Sequence, residues 1–294
     1  MPQAHEASRN QIAESSVARV LPSPGELEGR VYGPFPLRVC VEKVAEFVAA
    51  TRDDPERWLD FAPPGWAAVA LFVVAPKLLL DPALASAPVI HGEQRFAWSR
   101  AIEMEEVLQV TGRVSRVRGR GGVHLVAFEI EASAAERPVL SGSSLFLVAG
   151  ENPPAGENEE RSEPEAEIAG PNDPIPLTSS GFPSLRRSAS RADLIRYAAA
   201  TRDWNPVHWD HRAAVAAGLG GVVAHGLLQS AWMLSASSSL RTGPAPFQEA
   251  RFRFRTPLPA GAPARVSGVV NQQDVEVSLE AGDRQYVSGS VTLG

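Results

Sequence analysis

The stretch Ala200-Thr201-Arg202-Asp203-Trp204-Asn205-Pro206-Val207-His208-Trp209-Asp210 decides the reading of this chain, because much of it occurs twice. Residues 47–60 align without gaps on residues 197–210, an offset of 150, and Ala49, Ala50, Thr51, Arg52, Asp53 and Asp60 each recur. A short amphipathic helix leads into each copy. Val41, Val44, Ala45 and Val48 fall at helical spacing, as do Leu194, Tyr197 and Ala198. Ser190 and Asp193 read as the N-cap and capping-box partner of the second helix. Each half then has an apolar, helix-like run, at 66–74 and 227–240. Pro76 is expected to shorten or bend the first of these relative to the second. Strand-like segments close each half, at 94–98, 107–117, 123–132 and 139–148, then at 250–255, 264–270, 275–279 and 285–293. Helix followed by strands, twice, argues for an α+β architecture of antiparallel sheets, each packed on an apolar helix.

The second copy differs from the first where chemistry is concerned. Two residues five apart on a continuous helix point about 140° away from each other. Asp203 and His208 therefore meet only if the helix stops. Pro206 cannot continue a helix and pushes Asn205 toward extended geometry. The helix is expected to end near Asp203 or Trp204, after which His208 can fold back. Downstream, Val222-Val223-Ala224-His225-Gly226-Leu227-Leu228 places a His-Gly pair at the start of the apolar run. A carboxylate, an imidazole and a helix start with free amides are the equipment for adding or removing water at an activated double bond. In the first copy Pro55 stands for Asn205 and Trp58 for His208, so Asp53 has no partner.

Composition sets the outer bounds. The chain has 294 residues, 44% hydrophobic and 21% charged, enough for one large or two medium domains. A formal net charge of -6 argues against nucleic acid as a partner. Cys40 is the only cysteine, which excludes an internal disulfide framework and suits a reducing cytoplasm. Residues 1–19 have no apolar signal core, and the longest apolar stretch, near 66–75, is too short to span a bilayer. The expectation is a soluble, cytoplasmic protein with no membrane partner. Residues 150–176, rich in Glu, Pro, Gly and Asn, read as a flexible acidic linker.

Asp203-Trp204-Asn205-Pro206-Val207-His208, then His225-Gly226 opening an apolar helix, then Phe252-Arg253-Phe254-Arg255-Thr256-Pro257-Leu258-Pro259-Ala260-Gly261, resembles the MaoC-like family of R-specific enoyl-thioester hydratases and 3-hydroxyacyl-thioester dehydratases. His91-Gly92-Glu93-Gln94-Arg95-Phe96-Ala97-Trp98-Ser99-Arg100, after Ala62-Pro63-Pro64, resembles the non-catalytic dehydratase domain that pairs with a MaoC-like domain. The resemblance implies a double hotdog fold, two antiparallel sheets each wrapped on a central apolar helix. It divides the chain into a non-catalytic hotdog at 25–149, the linker at 150–176 and a catalytic hotdog at 177–294. A homodimer of such pseudo-dimers is compatible with it.

The activity it implies is reversible dehydration of (R)-3-hydroxyacyl thioesters, or hydration of trans-2-enoyl thioesters, carried by coenzyme A or an acyl carrier protein in fatty-acid metabolism. Asp203 and His208 fall on the family's acid/base pair, Asn205 on the residue that shapes the turn, and Gly226 on the oxyanion-hole amide. His225 is a candidate for ordering the loop before that amide. Trp204 and Trp209 flank the motif and read as pocket lining or, more simply, core. Arg251, Arg253 and Arg255 alternate with apolar residues, giving a row of guanidiniums that reads either as a contact for phosphates or an acidic carrier, or as a solvated sheet face. The chemistry calls for no cofactor and no metal. Acid and base are not assigned between Asp203 and His208, because coupled groups titrate as a pair. Other readings are a mesaconyl- or itaconyl-type dicarboxylyl-CoA hydratase, a hotdog thioesterase, and a non-catalytic acyl-thioester binding protein.

Overall fold

The structure is a computed structural model that describes residues 23–84, 89–149, 160–161, 172–173 and 181–294. Its first half runs β1 (Val31–Arg38), α1 (Val41–Thr51), the two-residue β2 (Phe61–Ala62), α2 (Ala67–Leu79), β3 (Val89–Trp98), the two-residue β4 (Ile102–Glu103), β5 (Val107–Arg120), β6 (Val123–Ala134) and β7 (Arg137–Ala149). The second half runs β8 (Leu185–Arg187), α3 (Arg191–Thr201), α4 (His211–Ala216), α5 (Gly226–Ser238), β9 (Phe247–Phe254), β10 (Ala264–Asn271), β11 (Asp274–Ala281) and β12 (Arg284–Leu293).

Strand patterning makes the sheet. Leu108, Val110 and Val114 on β5, with Val126, Phe128 and Ile130 on β6, alternate with exposed or half-buried neighbours, so one face is apolar. Ten strands join in the order β1-β5-β6-β7-β3-β9-β12-β11-β10-β8, every pair antiparallel. The two expected sheets are thus five-stranded halves of one sheet. Their seam is β3 against β9, with Glu93 opposite Arg253 and Gln94 opposite Phe252. The apolar helix α2 lies against β1, β5 and β6, and α5 against β9 to β12. Their burial is nearly complete, with Leu227 to Leu234 inaccessible along α5.

Three expectations are corrected here. Pro76 does not shorten α2, which has 13 residues like α5. It sits near the C-terminal end, and the helix closes beyond it through the Leu80 N–H to the Pro76 carbonyl at 3.0 Å. The helix before Asp203 stops at Thr201, ahead of the Asn-Pro break. Arg202 turns it by adopting the left-handed region, φ 69°, as Arg52 does after α1 with φ 55°. Lastly, β1, β8 and α4 have no counterpart in the sequence reading.

The halves are fastened together away from the seam as well. Arg52 meets Asp193 at 3.1 Å. Arg57 donates to the carbonyls of Ser238, Arg241 and Gly243 just past α5, at 2.7, 2.9 and 3.3 Å. Most of residues 150–176 lies outside the described residues, as does 1–22. Within it, the Arg161 N–H bonds the Gly220 carbonyl at 2.7 Å, and Asn172 Oδ1 accepts from Ser188 N–H at 3.1 Å. Among the described residues no helix is long and apolar enough to cross a membrane.

Candidate active site

The turn after α3 brings Asp203 and His208 together, with His225 as a third member. One carboxylate oxygen and one nitrogen from each imidazole all lie within 4.8 Å of one another. Asn205 stands at the turn, as N-cap of the short 3-10 turn 206–208. Its backbone is extended, φ -59° and ψ 122°, as a residue before proline must be, and its Oδ1 accepts from Val207 N–H at 3.4 Å. Its own N–H donates to the Asp203 carboxylate.

Backbone carbonyls bias both imidazole tautomers, because a carbonyl only accepts. His208 Nδ1–H donates to the Val223 carbonyl at 2.8 Å, leaving the Nε2 lone pair free. His225 Nε2–H donates to the Asp203 carbonyl at 3.2 Å, leaving Nδ1 as the lone pair. The two rings stack with centroids 3.8 Å apart and 27° between planes. The loop carrying Val223 is itself fixed, by Val223 N–H to Val207 O at 3.3 Å and Ala224 N–H to Leu258 O at 2.8 Å.

Asp203 and His208 keep a little accessible surface, whereas His225 is fully buried. Protein encloses all three closely enough for desolvation to dominate. Burial pushes the Asp203 carboxyl up to about 7, against the Asn205 N–H that favours its charged form. Burial also pulls His208 down to about 4, opposed by the Val223 carbonyl. His225 lies well below the usual histidine value, first from burial and then from the neighbouring His208. Near neutrality both imidazoles are neutral and the carboxyl is poised. The same three donors form a possible metal-ligand set.

Gly226 begins α5, and among the described residues no partner takes its N–H. The amide is therefore free at the positive end of a 13-residue helix. Packing also favours a glycine here. A Cβ there would stand 3.0 Å from the Phe254 ring of β9.

Other expected site residues stand elsewhere. Trp204 and Trp209 are 52% and 36% exposed, so neither belongs to the core, and the Trp209 indole N–H leans on the Trp204 carbonyl at 3.4 Å. Arg251 and Arg253 lie on the outer face of β9, opposite the buried Ala250 and Phe252, and are not brought to the Asp203/His208 pair. Arg251 pairs with Glu249, and Arg253 with Glu93 at 2.7 Å. In the first half, Asp53 accepts from Ser235 Oγ at 2.8 Å, and Trp58 is buried where the second half has His208. Sequence reasoning treated Tyr197 as core packing alone. Its ring lies 4.9 Å from that of His225, and among the described residues its buried hydroxyl has no partner. The available signal was the repeat itself, which has Phe47 at that position.

Residues 167–288, which include the whole constellation, match the MaoC like domain. A UPF0336 protein of Streptomyces avermitilis is 31% identical over 140 residues, 42% of this chain and 93% of that protein. Among solved structures, a MaoC-like dehydratase superposes with TM-score 0.72 at 18% identity, over 91% of this chain and 98% of its own. HtdX of Mycobacterium tuberculosis superposes with TM-score 0.67 at 21% identity, over 89% and 99%. A second Mycobacterium tuberculosis protein, described as a double hotdog fold, superposes with TM-score 0.58 at 14% identity, over 91% and 96%. With a double hotdog architecture along its length and a MaoC-like domain in its second half, the chain belongs to the MaoC-like dehydratase family.

Proposed function

We propose that the protein is a hydro-lyase that interconverts 3-hydroxyacyl and trans-2-enoyl thioesters, of R configuration at the hydroxyl carbon, with one active site per chain in the second half. The observation that carries this reading is the Asp203/His208 pair beside the free Gly226 amide. The two side chains are half-buried side by side, and desolvation moves their proton affinities in opposite directions. A thioester carbonyl makes the β-carbon of an enoyl group electrophilic and lets negative charge gather on its oxygen. Gly226 N–H, at the start of α5, is suited to hold that oxygen.

In the hydration direction His208 Nε2 takes a proton from water as the water oxygen bonds to the β-carbon. The carboxyl of Asp203 gives its proton to the α-carbon as the carbon–carbon double bond becomes single. The proton on His208 then returns to Asp203, which restores the pair. Dehydration is the reverse. The working form carries one proton over the pair, so the rate should fall below pH about 4 and above pH about 7. The substrate thioester is carried by coenzyme A or a carrier protein, and the setting is cytoplasmic acyl metabolism.

The test is to incubate the protein with a short trans-2-enoyl-CoA. Loss of the enoyl absorbance, a chiral 3-hydroxyacyl product of R configuration and no free thiol are expected. Release of thiol would instead make it a thioesterase, and tight binding without turnover a thioester-binding protein.

A further inference from the structure

Behind the Asp203/His208 pair lie three buried polar atoms without hydrogen-bond partners among the described residues: Tyr197 Oη, His225 Nδ1 and Gln229 Oε1. Such atoms are rare in native interiors, and each calls for an explanation. They belong to adjoining residues. The Tyr197 and His225 rings are 4.9 Å apart, and Gln229 folds its amide back onto the Ala224 and His225 carbonyls at 3.2 and 3.4 Å. Only the tyrosine is a donor, and burial, followed by the neighbouring Asp203 carboxylate, keeps its proton in place. The fold does not need that hydroxyl. In the first half Phe47 occupies the equivalent helix position and packs edge-on against Trp66 at 5.6 Å. The half with Phe47 also has Trp58 in place of His208, and its apolar helix α2 is entered through Trp66-Ala67 where α5 is entered through His225-Gly226. Hydroxyl and imidazoles are present together in one half and absent together in the other.

We propose that Tyr197 is a positioning residue for the Asp203/His208 pair. Its hydroxyl engages His225 Nδ1, through a small ring rotation or one bridging water, and holds His225 as the Nε2–H tautomer. That tautomer donates to the Asp203 carbonyl, and its ring is the surface on which His208 stacks. Tyr197 thereby steadies one partner through its backbone and the other through its ring. The role in catalysis rests on the hydro-lyase reading, whereas the tautomer does not.

The experiment is nitrogen NMR of the imidazoles, with a pH–rate profile, in wild-type protein, Tyr197→Phe, His225→Gln and the double variant. In wild type, His225 Nδ1 should show the shift of a hydrogen-bonded acceptor, and the shift of a free lone pair would overturn the proposal even if no variant folds. In Tyr197→Phe the tautomer should become mixed. kcat should drop about 10-fold, as for other partners of active-site imidazoles. The alkaline limb should move up by about half a pH unit, since the carboxylate loses a nearby dipole. The double variant should be no slower than the slower single one, because the two residues act as a unit. An unchanged tautomer and profile in Tyr197→Phe, with a raised Tm from loss of an idle buried hydroxyl, would overturn the proposal, as would additive effects in the double variant. Wild-type protein without hydratase activity would refute the function, and the NMR result would still decide the tautomer.

Discussion

Asp203 and His208 respond to pH in opposite senses, and the signs can be worked through. The folded carboxyl of Asp203 titrates near 7 against an ordinary value of 3.8, so its contribution to stability is full below 3.8 and is lost as pH rises to about 7. His208 and the half-buried His91 titrate near 4 in the folded state, so their contribution is full above 6.5 and is lost as pH falls through about 4. Asp203→Asn removes the first effect only. It should make the protein more stable than wild type, with the gain growing between pH 4 and 7 by about 1.4 kcal/mol per pH unit at most. Denaturant unfolding at several pH values checks this, and a gain independent of pH would contradict it. Asp203, His208 and Gly226 were legible in the sequence because a proline, an asparagine and a His-Gly pair break helical spacing at fixed points. Tyr197 was not, since a tyrosine at an apolar helical position reads as packing until its hydroxyl is seen to be buried beside His225. Arg251 and Arg253 were a genuine ambiguity, because strand alternation gives a row of charges but not which sheet face meets the site.

At the scale of elements, α2 and α5 are equal in length although only α2 contains a proline. Pro76 lacks the N–H that would bond to the preceding turn. Pro76→Ala should therefore stabilise the protein by about 1–3 kcal/mol, less than the full interior penalty because it lies near the helix end. A higher Tm with unchanged turnover is the expected result, and an unchanged or lower Tm would contradict it. The long strands and apolar helices were legible because their periodicity is clean. Strand β1 was not, since Gly33, Pro34 and Pro36 interrupt it and its register shifts between Tyr32 and Phe35. The three-residue β8 and the six-residue α4 are too short to show a period. The stop after α3 was placed near the right residue for the wrong reason, because a left-handed arginine leaves no mark in sequence.

At the scale of the molecule, the first half supports the second at several independent points. Strand β3 covers the edge of β9, Arg57 gathers the carbonyls beyond α5, Asp53 accepts from Ser235 on α5, and Arg52 meets Asp193. The first copy of the repeat kept its acidic helix end and now uses it to hold the helix whose far end presents Gly226. Residues 177–294 alone would expose the β9 edge and one side of α5. That fragment should aggregate or melt without cooperativity, judged by size-exclusion chromatography and circular dichroism. A monomeric fragment with the Tm of the whole chain would contradict this. The repeat made the pseudo-symmetry legible from sequence, but the merging of two sheets into one was not, because it depends on pairing between strands about 150 residues apart. The central claim is that Asp203 and His208 work as an acid/base pair on an acyl thioester. Its most direct test is hydration of a short trans-2-enoyl-CoA at pH 7 by wild type, Asp203→Asn and His208→Ala. The account predicts activity in wild type and a loss of about 10²-fold or more in each variant, with folding intact. Full activity in both variants would contradict it.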